Sequence, residues 1–375
     1  MRRLDRHARG WHSGAMSKSV SAKEFVAVVA ALASIGAAAW IRGRDAGRKQ
    51  GRADALAAAA GRDLEVPAGY VDQQRLQQKL FEQWAQHDRE GDVRSPFYFV
   101  AVANLHKQFA LEGLPSLRGR TIVEIGPGSS LIPGALFASA GADHYYGADI
   151  YRHPALLDAQ PYRTAFGFAY LDSDYLVRAQ SEVLLGEEKG QAILNPRYVT
   201  FLERESYDLG LPEESVDFLF SQATIEHIDD PERSVREWNR VLKPGGVSAH
   251  LAACIDHRDF GKPYEYLKLD PKEWRAQFGP GKASPAWEYV NQWRPIDFKR
   301  EFEKAGFEVL EYSTEPRTAY SRESWKRLHP APFGLTDADW GQIAPSVRAG
   351  HTREEVSEVF ITLVVRKPKK AGVTK

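Results

Sequence analysis

The stretch TIVEIGPGSSLIPGAL, Thr121 to Leu136, decides the fold of this chain. An apolar, partly β-branched run is interrupted at Glu124, passes through Gly126 and Gly128, and continues as a helical pattern. Two glycines one residue apart let the backbone take positive φ angles and approach a ligand closely. A strand, such a turn and a helix are typical of the first unit of a doubly wound sheet, where the ligand lies beyond the carboxyl ends of the strands.

Strand and helix patterns alternate after this stretch. We expect strands at 121–125, 144–148, 198–202, 216–220, 247–253, 307–310 and 359–365, and helices at 97–111, 130–140, 232–242 and 296–305. Pro244, Gly245 and Gly246 read as the stop signal of the third helix. The alternation predicts an α/β, doubly wound, Rossmann-like and mostly parallel sheet with helices on both faces. Two insertions, at about 151–197 and 313–355, are too long for plain connections and predict caps, lids or substrate walls.

The composition excludes several classes of protein. Lys plus Arg number 50, as do Asp plus Glu, so the net charge of zero gives no overall case for a nucleic-acid partner. The single cysteine, Cys254, excludes a disulfide framework and a cysteine-based zinc site. The catalytic part of the chain is therefore expected in the cytoplasm.

The N-terminal region differs in character from the rest. FVAVVAALASIGAAAWI, Phe25 to Ile41, is uncharged and mostly apolar, and its length is near the short limit for a bilayer span of about 20 residues. It fits a membrane anchor best; a cleaved signal peptide and an alanine-rich surface or buried helix are the alternatives. Basic residues after the segment would hold the following domain on the cytoplasmic face of the membrane, by a single span or by peripheral attachment, whether the chain starts at Met1 or Met16.

The chain divides into three parts. Residues 1–66 hold a basic tail, the hydrophobic helix and a linker, residues 67–368 form the main domain, and 369–375 are a basic tail. An amphipathic helix is predicted at 71–87, at the start of the main domain.

The glycine turn suits two kinds of ligand. Asp149 ends the next strand, where a carboxylate can accept both hydroxyls of a ribose in a nicotinamide cofactor or in S-adenosylmethionine. The dinucleotide fingerprint has a third glycine that brings the helix close to a pyrophosphate, and here that position is Leu131. Glu124 would repel phosphates but attract an ammonium group. S-adenosylmethionine, which has an ammonium group and no pyrophosphate, is therefore the better fit.

Three segments resemble the successive motifs of class I S-adenosylmethionine-dependent methyltransferases of the type 11-like group. They are VEIGPGSS, YYGADI and LPEESVDFLFSQATIEHIDDPERSVREWNRVLKPGG, and the resemblance covers about 118–367. It implies S-adenosylmethionine as the cofactor and a seven-stranded sheet whose last strand is antiparallel and inserted beside the preceding one.

The resemblance also implies a set of cofactor contacts. The methionine half of the cofactor would be bordered by the glycine turn, the ribose by the end of the second strand, and the adenine by the residues that follow these strands. The family usually has an Asp four residues before Leu-Pro, and this chain has Tyr207 there with Asp208 beside it. The candidate cofactor residues are Glu124, Gly126, Pro127, Gly128, Asp149, Ile150, Tyr207, Asp208, Ser221 and Gln222.

One acidic and one basic candidate residue follow the fourth strand. Methyl transfer needs in-line placement of the acceptor and, for an alcohol, a base. Glu226 and His227 can supply a cofactor contact or that base, or they can simply orient the turn by hydrogen bonding. Some relatives build a metal site from an E-x-x-E-H pattern here, but Ala223 stands in place of the first Glu, so no metal is expected.

A second cluster follows the fifth strand. His257 is flanked by Asp256 and Asp259, and a histidine held between two carboxylates suits a general base. The alternative is a solvated polar loop. Further along, Trp287, Tyr289, Trp293 and Arg294 can stack on a sugar ring or form a core cluster.

These features predict an S-adenosylmethionine-dependent methyltransferase. Its acceptor is expected to be a hydroxyl of a glycan or of a lipid-linked small molecule at the membrane, since His257 lies in a segment that is loosely similar to bacterial methyltransferases found with surface-glycan genes. Two alternatives are a catalytically silent relative that acts as a binding or scaffold protein, and an NAD(P)-dependent oxidoreductase.

Overall fold

The computed structural model of the chain describes residues 96–169, 177–280, 282, 288–315 and 334–369. All of these residues lie in the unit that spans Glu65–Lys375. The predicted hydrophobic segment, linker and first amphipathic helix lie outside the described residues, as does most of the basic tail. No helix within the described ranges is long and apolar enough to cross a bilayer.

The strands of the described residues form one large sheet and one hairpin. They are β1 (Thr121–Ile125), β2 (His144–Asp149), β3 (Leu184–Glu188), β4 (Gln191–Leu194), β5 (Val199–Glu203), β6 (Val216–Gln222), β7 (Leu242–Ala253), β8 (Glu308–Ser313) and β9 (Phe360–Arg366). The seven-stranded sheet has the order β5-β2-β1-β6-β7-β9-β8, and β3 pairs with β4 separately. Within the seven-stranded sheet, β9 is antiparallel to both of its neighbours and the other pairs are parallel. The predicted Rossmann-like, mostly parallel sheet with an inserted antiparallel strand is confirmed.

Helices flank this sheet. They are α1 (Pro96–Gly113), α2 (Ile132–Ser139), α3 (Ala159–Ala169), α4 (Gln180–Val183), α5 (Pro231–Val241), α6 (Pro271–Phe278), α7 (Pro295–Lys304), α8 (Asp337–Gln342), α9 (Pro345–Ala349) and α10 (Arg353–Ser357). Proline suits the first helical position because its missing N–H would have no partner there. In α5, the preceding Asp230 caps the helix by accepting a hydrogen bond from Arg233 N at 3.0 Å.

Both faces of the sheet are buried, which explains the continuous apolar runs of the central strands. Adjacent residues of β1 point to opposite faces, as the two-residue period of a strand requires. Ile122 belongs to the cluster formed with α1, α2 and α3, and Val123 belongs to the cluster formed with α5 and α7. The turn that follows β1 is thereby fixed between two packed layers.

The Lys-Pro-Gly-Gly segment lies inside β7 and does not cap α5. Helix α5 ends at Val241 in front of Leu242, which is already extended. Gly245 has a φ of +84°, and the register with β6 shifts between Leu242 and Val247. The prediction of a glycine stop signal was therefore wrong, because these glycines form an irregularity in a strand that begins earlier than expected.

The two predicted insertions carry elements of their own. The first holds α3, α4 and the β3–β4 hairpin, and the second holds α8, α9 and part of α10, with 316–333 outside the described residues. Their role as caps or substrate walls stays a prediction.

Candidate functional site

Gly126 joins the end of β1 to the loop that follows β6. Its φ is +69°, and its N–H donates to Ala148 O at 2.8 Å. A Cβ at this position would lie 2.5 Å from Thr224 Oγ1, so no larger residue fits without movement. Thr224 in turn donates to Gly126 O at 3.3 Å. Glycine is required here by the close approach of Thr224, which the sequence did not indicate.

Gly128 has a different environment. Its φ is +59°, it is exposed, and no atom lies within 4 Å of the position of a Cβ. Its N–H donates to Asp149 Oδ2 at 3.3 Å. Pro127, between the two glycines, is buried beside Gly147. The turn therefore presents open space next to a carboxylate at the ends of two parallel strands.

Asp149 is the last residue of β2 at this open space, and Ile150 follows it. The second carboxylate oxygen of Asp149 accepts from Tyr151 N at 3.2 Å. Burial raises the pKa of Asp149, and hydrogen bonds from backbone N–H groups oppose that effect. The side chain of Ile150 is 63% exposed, which is unusual for a large apolar residue. Both side chains are thus available to a ligand placed over the turn.

Glu124 lies beneath the turn and is only 4% exposed. Tyr145, from β2, donates a hydrogen bond to Glu124 Oε2. Burial raises the pKa of Glu124 to about 8; the hydrogen bond from Tyr145 lowers it and the charge of Asp149 raises it further. The ring of Tyr145 fits because Gly134 of α2 has no side chain: a Cβ there would lie 2.5 Å from Tyr145 Cγ. The contact of Tyr145 was not predicted.

A cavity of about 400 Å³ borders the residues that follow the glycine turn. Ser129 and Ser130 line one side, Asp158 and Gln160 at the start of α3 line another, and Pro96 of α1 lines a third. A second cavity of about 490 Å³ is lined by α5, α6, α7 and α9 and shares no lining residue with the first. Ser129, which lines the first cavity, directly follows Gly128, but none of the predicted cofactor residues lines either cavity.

The segment expected at the adenine edge is packed against α5. Ser206 Oγ and Ser234 Oγ are hydrogen-bonded at 2.8 Å, and Trp238 Nε1 donates to Ser206 O. The guanidinium of Arg233 lies 3.9 Å from the ring centre of Tyr207. Asp208 is exposed. The ring of Tyr207 is thus already stacked on one face.

Ser221 and Gln222, the last residues of β6, have different partners. Ser221 is fully buried and is hydrogen-bonded to His250 Nδ1 at 2.8 Å. His106 of α1 donates from Nε2 to Gln222 Oε1 at 3.2 Å. Burial lowers the pKa of His106 to about 3, and the hydrogen bond to Gln222 opposes this effect. His106 was missed from the sequence, where a lone histidine in an apolar helix gave no signal of a partner in β6.

Glu226 and His227 lie on a short 3₁₀ turn, Ile225–His227, between β6 and α5. Glu226 is fully buried, and its Oε1 accepts from Ala253 N at 3.2 Å. Its Oε2 has no hydrogen-bond partner among the described residues. Burial raises the pKa of Glu226 to about 8, and backbone hydrogen bonds lower it.

His227 is held by a distant part of the chain. Its Nδ1 donates to Tyr289 O at 2.6 Å, which fixes the tautomer with the lone pair on Nε2. Burial lowers the pKa of His227 to about 4, and the neighbouring His257 lowers it further. The two imidazole centres are 4.9 Å apart. The structure therefore brings together two histidines that the sequence placed in separate candidate groups.

The two carboxylates expected to hold His257 have other partners. Asp256 is 1% exposed, and both of its oxygens accept hydrogen bonds from Arg258, at 2.9 and 2.6 Å. The Arg258 guanidinium lies 4.5 Å from the ring centre of Trp274. Asp259 accepts from Gly261 N at 2.9 Å within its own loop. The role of His257 as a base held between these two carboxylates stays a prediction.

The aromatic run near Arg294 belongs to the protein interior. Arg294 is fully buried and donates to Cys254 O at 2.7 Å and to Tyr266 Oη at 2.6 Å. Trp293 packs on Phe298, and Trp287 lies outside the described residues. Of the two interpretations of this run, the structure shows a core contact at Arg294.

One further group emerges from these contacts. A carboxylate oxygen of Glu226 and one ring nitrogen each of His227 and His257 all lie within 4.8 Å of one another. No metal was predicted from the sequence, because that prediction depended on the E-x-x-E-H spacing alone. The proximity of His257 to this turn is visible only in the fold.

Residues 172–249 match the model of a family described as a methyltransferase domain. The match includes β5, β6, α5 and the turn with Glu226 and His227, whereas the glycine turn precedes it. No curated protein matches the chain.

Several solved structures are distantly similar. An S-adenosylmethionine dependent methyltransferase from Mesorhizobium loti is 17% identical over 68% of this chain and 95% of its own, with a TM-score of 0.35. Phosphoethanolamine N-methyltransferase 2 of Haemonchus contortus, in complex with S-adenosyl-L-methionine, is 16% identical over 71% of this chain and 53% of its own, with a TM-score of 0.39. Geranyl diphosphate C-methyltransferase from Streptomyces coelicolor A3(2) is 14% identical over 70% and 78%, with a TM-score of 0.39.

At such low identities and TM-scores, these similarities carry no conclusion about the acceptor. The identification depends instead on the observed strand order and on the family match within it. On these grounds the chain has a methyltransferase-domain match over residues 172–249 within a Rossmann-like sheet, and this match supports S-adenosylmethionine as the cofactor.

Proposed function

We propose that the chain transfers a methyl group from S-adenosylmethionine to an oxygen of a small-molecule acceptor. One observation carries this proposal. The open space over Gly128, beside Asp149, lies at the same edge of the sheet as the cluster of Glu226, His227 and His257. Thr224 joins the two places, since it contacts Gly126 and directly precedes the 3₁₀ turn.

The residues at the ends of β1 and β2 fit the cofactor. A Cβ at Gly128 would protrude into the open space that a ligand needs. Asp149 would accept hydrogen bonds from the ribose hydroxyls, and the exposed Ile150 would pack on the adenine. Glu124 would ionise beside an ammonium group, because a nearby cation offsets the burial that raises its pKa. These four roles remain proposals.

The cofactor supplies a methyl group on a positively charged sulfur. The protein's own task is to place the acceptor in line and to receive the proton that an acceptor hydroxyl loses. The Nε2 lone pair of His227 can take that proton, since Nδ1 already donates to Tyr289 O. We therefore propose His227, whose tautomer is fixed, as the base in place of His257.

A glycan or lipid-linked acceptor at the cytoplasmic face of a membrane remains part of the proposal. Its support is the sequence alone: the apolar segment Phe25 to Ile41 with basic residues on both sides. An enzyme tethered in this way would meet acceptors confined to the membrane plane. Retention of the full-length chain in a carbonate-washed membrane pellet would support the tether, and its recovery in the soluble fraction would refute it.

Calorimetry with the demethylated cofactor product, S-adenosylhomocysteine, tests the cofactor site. We expect micromolar binding of S-adenosylhomocysteine and no binding of NAD. Asp149→Ala should weaken the binding free energy of S-adenosylhomocysteine by about 1.5–3 kcal/mol, the scale for hydrogen bonds to a charged group. Asp143→Ala is the matched control, because Asp143 is exposed at the opposite end of β2. Equal affinity for NAD, or an unchanged affinity in Asp149→Ala, would contradict the proposal.

A further inference from the structure

We propose that Glu226, His227 and His257 bind a divalent transition-metal ion of the Zn²⁺ type. The site goes beyond the proposed methyl transfer, since the ion can be bound and measured without cofactor or acceptor. It consists of two imidazoles and one carboxylate from two loops, which follow β6 and β7 at the same edge of the sheet.

The separations suit a single ion. The three ligand atoms lie within 4.8 Å of one another. Ligands bound at about 2.0–2.2 Å in tetrahedral geometry around one zinc ion lie roughly 3.3–3.6 Å apart. Side-chain shifts of on the order of 1 Å therefore close the site around an ion.

The hydrogen bond of His227 prepares it as a ligand. A metal-binding histidine typically donates its second ring N–H to a carboxylate or a backbone carbonyl, which fixes the tautomer and the ring orientation. Nδ1 of His227 donates to Tyr289 O at 2.6 Å and leaves Nε2 free of a proton. Tyr289 is itself close to Asn291, whose side chain donates to Ile225 O and Ile228 O on both sides of the turn.

The carboxylate of Glu226 provides a second, independent observation. Glu226 is fully buried, one of its oxygens accepts from Ala253 N, and the other has no hydrogen-bond partner among the described residues. A buried oxygen without a partner is destabilising by about 1–3 kcal/mol, more if it is charged. A bound cation removes that penalty and explains why a carboxylate is placed beside two imidazoles.

The loop that carries His257 is held from the other side. The buried carboxylate of Asp256 forms an ion pair with Arg258, and the Arg258 guanidinium lies against the rings of Trp274 and Phe278, at 4.5 and 4.4 Å from their centres. The backbone on either side of His257 is therefore fixed while the imidazole remains half-buried beside His227.

The ligand set selects the kind of ion. Imidazole with one carboxylate suits Zn²⁺, Fe²⁺, Co²⁺ or Ni²⁺, whereas Mg²⁺ and Ca²⁺ prefer oxygen ligands. Three protein ligands leave at least one position open for water or for an oxygen of a bound molecule. The two roles of His227 exclude each other: Nε2 accepts a proton only in the metal-free protein and is a ligand when the ion is bound.

The test is metal binding by the full-length chain after removal of metal with a chelator. We expect titration with Zn²⁺ to show one tight equivalent, Co²⁺ to give visible absorption bands, and Mg²⁺ not to compete. His257→Ala and Glu226→Gln should each weaken Zn²⁺ binding at least about ten-fold. His351→Ala, which removes a histidine paired with Asp297 elsewhere, is the control and should bind like the wild type.

Two outcomes would overturn the site: no Zn²⁺ binding by the wild-type chain, or binding that both variants retain in full. Thermal unfolding of each variant separates loss of the site from loss of the fold. If His257→Ala is unfolded, the test depends on Glu226→Gln, which keeps the side-chain shape. Failure of the proposed function is distinguishable, because S-adenosylhomocysteine binding is measured separately. Zn²⁺ binding without cofactor binding would leave this inference intact.

Discussion

The ends of β1 and β2 offer open space bounded by backbone, whereas the ends of β6 and β7 hold buried, polar side chains in contact with one another. Above Gly128 nothing lies within 4 Å of a Cβ position, and Ile150 is 63% exposed. The carboxylate of Glu226 is fully buried, and the centres of the two neighbouring imidazoles are 4.9 Å apart. The ends of β1 and β2 can therefore accept a ligand without rearrangement. At the ends of β6 and β7, the charge states of the side chains depend on what they bind.

The two glycines give the sharpest test within the first region. Gly126→Ala should destabilise the protein by about 2–5 kcal/mol, since it combines a positive φ with overpacking against Thr224. Gly128→Ala should lower the unfolding free energy by only about 1–2 kcal/mol, because its single effect is the strain of an alanine at positive φ. Urea unfolding measures both. Adding Thr224→Ala to Gly126→Ala should recover part of the loss, and equal effects of the two single variants would contradict the distinction.

Removal of Arg258 tests the support of the second region. Arg258→Ala leaves the Asp256 carboxylate buried without its ion-pair partner, so we expect a loss of about 2–4 kcal/mol in unfolding free energy. Lys262→Ala is the matched control, because Lys262 pairs with the exposed Asp259. This substitution should change the unfolding free energy by less than about 0.5 kcal/mol. The additional change Asp256→Asn should restore stability in the Arg258→Ala background. Failure to do so would show that the stacking on Trp274 matters more than the charge.

Stability should depend on pH through Glu226. Its pKa in the folded protein is about 8, above the ordinary value of 4.5, so the folded state holds a proton that the unfolded state has lost between these values. The stability gained from this proton is complete below about pH 4.5 and is lost as the pH rises through about 8. Glu226→Gln should match the metal-free wild type at pH 5 and exceed its stability at pH 9 by on the order of 2 kcal/mol.

Thermal unfolding of both proteins at the two pH values, with chelator present, measures this difference. Glu273→Gln is the control, because Glu273 is exposed on α6 and should show the same pH dependence as the wild type. A constant difference between Glu226→Gln and the wild type across this range would contradict the buried, protonated state of Glu226.

The smallest expected effect concerns the adenine edge. Asp208 is exposed and Tyr207 is stacked under Arg233. Asp208→Asn should therefore change S-adenosylhomocysteine affinity by less than about 0.5 kcal/mol. Calorimetry that showed a ten-fold loss would assign the adenine contact to Asp208 and would extend the open region of the site along β5.

The first region could be predicted from the sequence because its parts are local. A strand, a glycine turn and an acid at the end of the next strand are visible in the residues themselves, and their meeting follows from parallel pairing of β1 with β2. The exception is Tyr145, whose contact with Glu124 depends on the missing side chain of Gly134. Such a contact requires the spacing between α2 and the sheet, which no local pattern contains.

The second region could be predicted only in part. The sequence indicated Glu226, His227 and His257 as candidates, but it paired His257 with Asp256 and Asp259 because they are neighbours along the chain. In the fold, their orientations are set by distant groups: Tyr289 O for His227 and Ala253 N for Glu226. Neighbours in sequence and neighbours in space differ most where loops from several strands meet.

The insertion of β9 between β7 and β8 has a consequence for synthesis of the chain. Residues Phe360–Arg366 are made after every other strand of the sheet, yet they fill an interior position of it. Until they leave the ribosome, β7 and β8 each present a row of unpaired backbone groups, the kind of edge that associates with other chains. Completion of the sheet is therefore deferred until β9 has been made, and a nascent chain of this fold most needs protection from aggregation before that point.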